Sequence, residues 1–289
     1  MPTFETPDPI TATITVIVGD AHIRARDGAT TVVDVQPSDP SSDHDVKAAQ
    51  LTRVELADGR LLVKTPKPGF PSRLARRTAS VDVTIELPAG SDLHAVGHLA
   101  DFRCEGPLNA CEVKTGLGDI SVDRAATASL KTGSGDVALD HATGHVAVAT
   151  ASGDVRLGEL ESTATVKGSN GNTWVAAAGG DLRVGTAAGD VAIGVARASV
   201  VAKSARGDLR LGEAVRGSVV LETQAGDVEV GIPEGTAAWI DASVHVGTVQ
   251  NALEAADSRG EASETVEVRA RTSVGDITIR RSALDPAAA

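Results

Sequence analysis

The chain has 289 residues, 39 acidic and 27 basic, and a formal net charge of −12. That balance argues against a general affinity for nucleic acid or an anionic membrane, because both require cationic patches. With three Phe, two Trp and no Tyr, the core must be built from Val, Leu, Ile and Ala, which suits tight repeated layers better than an irregular globule.

The opening Met1-Pro2-Thr3-Phe4-Glu5 shows no basic segment followed by an apolar run. No stretch approaches the roughly 18–20 apolar residues of a membrane helix. A cytoplasmic location without membrane insertion is expected, with Cys104 and Cys111 as reduced, packed thiols. Residues 10–35 alternate β-branched and polar side chains as strands do, and Gly19-Asp20 divides the first run. Pro37 to Ser42 reads as a loop, and residues 43–50 as a short helix with Ser42 as N-cap. Residues 53–64 read as a hairpin turning at Asp58-Gly59. Residues 66–77, with three Pro and Arg73, Arg76 and Arg77, read as a solvated loop. Val81, Val83, Ile85 and Leu87 then alternate up to Pro88.

From Cys111 onward one phrase recurs: a hydroxyl residue, two variable residues, Gly-Asp, then apolar residues two and four after the Gly. The acidic or amide position falls at Asp119, Asp136, Asp154, Asn172, Asp190, Asp208 and Asp227, in steps of 17, 18, 18, 18, 18 and 19 residues. Gly247-Thr248 keeps the frame, residues 251–265 form a Glu/Ala/Ser-rich insertion, and a last copy runs from Val268 to Ile279 around Gly275-Asp276. A fixed period marks stacked repeats. Each unit holds two short period-two strands joined by a Gly-Asp corner, and one such unit cannot bury its apolar row alone. The expected fold is all-β, a parallel β-solenoid of about 18 residues per coil. The expected organisation is an N-terminal β unit or cap over residues 1–100 that is continuous with the solenoid, solenoid repeats over 101–281 and a disordered tail over 282–289. An antiparallel meander fits less well, because the two strands of each unit have different signatures while like strands recur at a constant interval.

The corner column invites a cation-ladder reading, but it offers one acid per coil where calcium takes six to eight oxygens. The structural reading is that Gly supplies φ > 0 and the short Asp or Asn side chain bonds nearby amides. The hydroxyls Thr115, Thr132, Thr150, Thr186, Ser204 and Thr223 share the parity of the buried Val and Leu, so they face inward rather than forming an exposed threonine array. The pairs His94/His98 and His141/His145 have the i, i+4 spacing of a helical metal pair, but they lie in strand-and-turn sequence. No metal, cofactor or catalytic constellation is expected. A β-helix polysaccharide hydrolase or lyase would need acids in a groove and aromatic platforms, and aromatics are nearly missing here. Outward positions hold Trp174, Ala138 and Ala192 on one face and Val201 and Val220 on the other, a candidate strip for a protein partner or self-association.

The Thr-x-x-Gly-Asp phrases at Thr132, Thr150, Thr186, Thr223 and Thr272, with Val81-Asp-Val-Thr-Ile-Glu-Leu-Pro-Ala-Gly90 leading into them, resemble the bacterial "putative adhesin" β-strand-repeat family, a domain of unknown function. The resemblance covers about residues 10–280. It implies a solenoid and carries over no catalytic residues. The expected function is a non-enzymatic scaffold that binds a protein partner or assembles with itself through solenoid faces or ends. The alternative is a cation- or glycan-binding, adhesin-like module.

Overall fold

The computed structural model describes residues 1–66, 79–253 and 264–282. The chain forms two compact units, Met1–Ala142 and Thr143–Ala289, and both are built from parallel β coils. Each coil has a leading strand, a sharp corner and a trailing strand. Residues of one parity point inward and those of the other point to solvent.

In the first unit the strand Thr11–Arg26 is a whole coil. Ala12, Ile14 and Val16 point inward before the Gly19-Asp20 corner, and Ala21, Ile23 and Ala25 point inward after it. It pairs in parallel with Asp92–Leu117, from Thr11↔Asp92 through Asp20↔Asp101 to Arg24↔Glu105. The parallel ladder therefore runs through residue 100 without a break. On its other edge, the first half of Thr11–Arg26 pairs in parallel with Arg60–Lys64 and the second half with Val81–Pro88. These two strands are the leading and trailing halves of one more coil. The loop expected at 66–77 between them lies, but for Pro66, outside the described residues.

Antiparallel strands cover the outer edge of that coil. Arg53–Ala57 folds back on Arg60–Lys64 through Asp58-Gly59, both with positive φ (50° and 70°), as a tight hairpin turn requires. Thr30–Pro37 lies antiparallel on Val81–Pro88, and Thr3–Glu5 lies on Thr30–Pro37. The helix forms over Asp43–Gln50 as the sequence predicts, with Ser42 Oγ accepting from the Asp45 amide. A parallel edge is a row of unpaired amides and carbonyls, and capping it in this way protects it from other chains.

The second unit repeats the coil, but the coils do not stack in chain order. Leading strands Val146–Ser152, Ala164–Lys167, Leu182–Ala188, Val200–Arg206 and Gly217–Ala225 follow one another in parallel. The neighbour of Gly217–Ala225 is then Glu264–Val274, and Thr236–Val246 lies beyond it. Trailing strands agree: Val228–Ile232 pairs with Ile277–Arg281, which pairs with Val249–Asn251. The last repeat in sequence is thus inserted under the one before it.

The residues explain this order. Val266, Val268, Ala270, Ile277 and Ile279 make a complete apolar row and are buried. In the coil of residues 236–251, Asn251 stands in register with Ile279. An interior position would bury its amide without partners, which costs several kcal/mol in an apolar setting (roughly 1–3 by mutational measures). At the end of the stack Asn251 is exposed and bonds the Leu253 amide. Arg281 fastens the connection by donating to the carbonyls of Pro233 and Thr236.

The core is a stack of Val, Leu, Ile and Ala, with Phe102 its largest member. Each Val, Leu or Ile removed from water contributes about 1.5–3 kcal/mol. The inward hydroxyls lie where parity placed them: Thr115, Thr132, Thr150, Ser204, Thr223 and Thr272 are buried. Thr132, Thr223 and Thr272 donate to the carbonyls of Gly118, Gly207 and Gly226, the corner glycines of the neighbouring coil. Among the described residues, no helix is long and apolar enough to cross a membrane.

Candidate functional site

The corner column is a ladder of side-chain to backbone bonds. The amides of Asp119 and Asp136 donate to Oδ1 of Asp101 and Asp119 at 2.8 and 2.7 Å. In the second unit the amides of Asn172, Asp190, Asp208 and Asp227 donate to Oδ1 of Asp154, Asn172, Asp190 and Asp208 at 2.8–2.9 Å. Asp276 then bonds to Asp227, and Thr248 to Asp276, in stacking order rather than chain order. The amide side chain of Asn172 serves as well as a carboxylate, so the rung needs an acceptor oxygen and not a charge. The ten Gly corners all have φ between 128° and 149°.

Asp101 is a rung that the motif misses, because Ala100 replaces the Gly. Asp82 begins the series, with Oδ1 accepting weakly from the Asp20 amide at 3.4 Å. Burial, with Asp82 and Asp101 nearby, raises the Asp20 carboxyl above its ordinary value. Along the ladder, Oδ1 is committed to the fold, and Oδ2 of Asp208 takes the Arg210 guanidinium at 2.9 Å. Among the described residues, no group of three or more His, Cys, Asp or Glu is placed to hold a metal ion. His94 faces Glu112 at 3.2 Å, and His145 bonds Thr163 at 2.9 Å.

The outward apolar residues fall into separate patches. Trp174, 37% exposed, stands in register between Arg156 and Ala192, and the Arg156 guanidinium lies 4.9 Å above its ring. Arg210 follows Ala192 in the same row, so the strip is short and cation-flanked. Val201 and Val220 are neighbours on the leading-strand face, between Arg183 and Arg269. Ala138 lies in the first unit, in register with Ser121.

Two features were not singled out from sequence. One is an open groove of about 730 Å³ on the leading-strand side of the second unit, where Lys167, Lys203 and Arg271 surround Gly168 and Gly185. Gly168 replaces a column hydroxyl, and the missing side chain leaves Thr186 half-exposed. Lys203 is paired with Glu222 at 2.7 Å. The other is the outermost coil of the second unit, residues 236–251. Trp239, Val246 and Val249 are exposed on it and Val274 on the coil beneath, Trp239 to 56%. Its inward residues Ala238, Ile240, Ala242 and Val244 are only half-buried, whereas Val266, Val268 and Ala270 beneath them are fully buried. The signals for this end were present in sequence. Thr248 lacks the carboxylate that the next rung would need, and Asn251 has inward parity.

The family model described as Toastrack DUF4097 matches residues 11–280. The chain belongs to that family. The Toastrack fold is a β-solenoid, in agreement with the coils above. Among solved structures, the chain is similar to a putative adhesin from Bacteroides fragilis at 12% identity, covering 96% of this chain and 95% of that one, with a TM-score of 0.38. A protein from Parabacteroides distasonis described as a putative lipid binding protein shows 10% identity, coverage of 96% and 95% and a TM-score of 0.42. A putative cell adhesion protein from Clostridium sporogenes shows 12% identity, coverage of 97% and 98% and a TM-score of 0.21. No curated protein matches the chain.

Proposed function

We propose that this Toastrack protein is a non-enzymatic scaffold that binds a protein partner, or a further copy of itself, through exposed strand faces and coil ends. The observation that carries the reading is the outermost coil of the second unit, where Trp239, Val246 and Val249 are exposed beside a half-open core. Large exposed apolar residues gathered on one surface mark interaction sites, and Trp is the residue most enriched at their energetic centres. The Trp174–Ala192 and Val201–Val220 patches, and Ala138 in the first unit, are secondary contact surfaces in this reading. The polar groups that recur most often, the corner carboxylates and the inward hydroxyls, are committed to backbone bonds, which supports a structural role for the repeat.

The test is affinity capture from host extract with the full chain, together with light scattering of the purified protein. Wild type is expected to retain a partner or self-associate, with Trp239→Ala or Trp174→Ala weakening the contact. A protein that neither retains a partner nor self-associates would overturn the scaffold. A second reading, a module for acidic glycans, is favoured by the groove around Lys167, Lys203 and Arg271. A glycan array that is silent for acidic sugars with wild type removes it.

A further inference from the structure

The leading strand of the outermost coil, Thr236–Val246, pairs on one side with Glu264–Val274. Among the described residues its other edge pairs with nothing. It is eleven residues long, against a usual strand of five or six, and among the described residues no antiparallel strand covers it as Arg53–Ala57 and Thr30–Pro37 cover the first coil of the first unit. An unprotected edge of that length is a template for another strand.

The sequence along the edge says which strand. Ala238, Ile240, Ala242 and Val244 face inward, Trp239, Asp241, Ser243 and His245 have outward parity, and Val246 at the corner is exposed like Val274 beneath it. We infer that this edge pairs antiparallel with the same edge of a second copy, about a two-fold axis through Ala242. This deepens the scaffold reading and rests on it.

In that register Ala242 faces Ala242 and Ile240 faces Val244, so the half-open cores close against each other, and Ala238 faces the exposed Val246. On the outer face Trp239 meets His245 and Asp241 meets Ser243. No like charges oppose each other, and aromatic and polar pairs of this kind stabilise antiparallel ladders. Neighbouring registers are worse. An axis through Asp241 sets Asp241 against Asp241. An axis through Ser243 keeps only seven paired residues, against nine. An axis between residues sets the core row against the solvent row. Asp241 is already held by Arg269 at 3.2 Å and Arg271 at 3.6 Å, which fixes its side chain on the outer face.

The register gives a test in which the sign of the charge decides. Light scattering and sedimentation of the full chain are expected to show a concentration-dependent dimer. Ser243→Asp places a carboxylate opposite Asp241 of the other copy, twice per dimer, and weakens dimerisation about tenfold. Ser243→Lys places an ammonium there and keeps or tightens the dimer. Both variants are expected to fold. Ser243 is exposed and stands in register with Arg271, so the aspartate gains a cation on its own chain. Circular dichroism checks this.

A wild-type chain that stays monomeric at every concentration overturns the inference. So does a monomer whose 236–246 amides resist hydrogen exchange, since the chain's own residues would then cover the edge. Equal weakening by the Asp and Lys variants excludes this register, because an axis through Ser243 would set either new charge against itself. A monomer that still captures a partner leaves the scaffold reading standing; a monomer that captures none removes both.

Discussion

The backbone amide of Asp276 donates to Oδ1 of Asp227 at 2.8 Å, across 49 residues of chain, and Oδ1 of Asp276 accepts from the Thr248 amide at 2.8 Å and its hydroxyl at 2.9 Å. The last repeat is thereby fixed between a coil that precedes it by two repeats and the intervening coil, which it overtakes. The Thr248 bonds hold the Asp276 carboxyl below its ordinary value. A depressed carboxyl stabilises the fold above its unfolded value, near pH 4, and loses that contribution as pH falls through the lower folded value. Protection of the Thr248 amide from hydrogen exchange is therefore expected to fall below about pH 4 in wild type. Asp276→Asn keeps an acceptor, as Asn172 does within the ladder, and is expected to remove the pH dependence while keeping the protection.

Gly207 sits at a corner with φ +137°, and a Cβ there would lie 2.2 Å from the Gly189 carbonyl oxygen. The atoms it would meet are backbone of the Gly189-Asp190 corner, which cannot swing aside as a side chain can. Gly207→Ala is expected to cost more than about 3 kcal/mol or to prevent folding of the second unit. Gly185 is the control: it has ordinary φ and open space where a Cβ would go. Gly185→Ala is expected to stay within about 1 kcal/mol of wild type, on the stabilising side. Urea titration of the two variants separates the effects of corner and strand.

The coil was legible because period-two apolar rows and a repeated Gly-Asp corner are local features, and the solenoid follows from stacking them. Inward Thr followed from parity, the helix at 43–50 from its cap, and the hairpin at 53–64 from Asp58-Gly59. Asp101 escaped notice because its corner is made by Ala100, within the continuous strand Asp92–Leu117, so geometry persists where the motif lapses. The inverted order at the end of the stack escaped because a reading along the chain places neighbours in sequence beside one another. Which coil is outermost is decided by a comparison of two coils: Asn251 against Ile279 in the apolar row, and Thr248 against Asp276 at the corner. The groove depends on missing side chains at Gly168 and Gly185, and a repeat pattern reads such gaps as noise.

The stacking order makes Ile277 an interior residue and Val249 a terminal one, although Val249 comes first in the chain and the two stand in register. Ile277 is fully buried and Val249 is 43% exposed. Ile277→Ala is expected to cost about 2–5 kcal/mol, and Val249→Ala less than about 1 kcal/mol, since a half-open site leaves no closed cavity. Chemical denaturation of both variants checks the order directly. A stack in chain order would make Val249 the costlier of the two.

Cys104 and Cys111 are free, buried thiols that face each other in the first unit. The hydrogen bond that the Cys104 S–H donates to Cys111, and then burial, push the Cys104 thiol well above its ordinary value. A raised thiol stays protonated in the fold while the unfolded chain ionises near pH 8.5. The folded state then binds more protons, so its stability is intact below that pH and declines above it. The first unit is expected to lose stability between about pH 8.5 and 10, and Cys104→Ala is expected to flatten that slope although it lowers stability at pH 7 by opening a small cavity. An aromatic disulfide reagent should find neither thiol in the folded protein and both in denaturant, because both side chains are buried out of its reach. Rapid labelling of the folded chain at pH 7 would show that the pair is open to solvent.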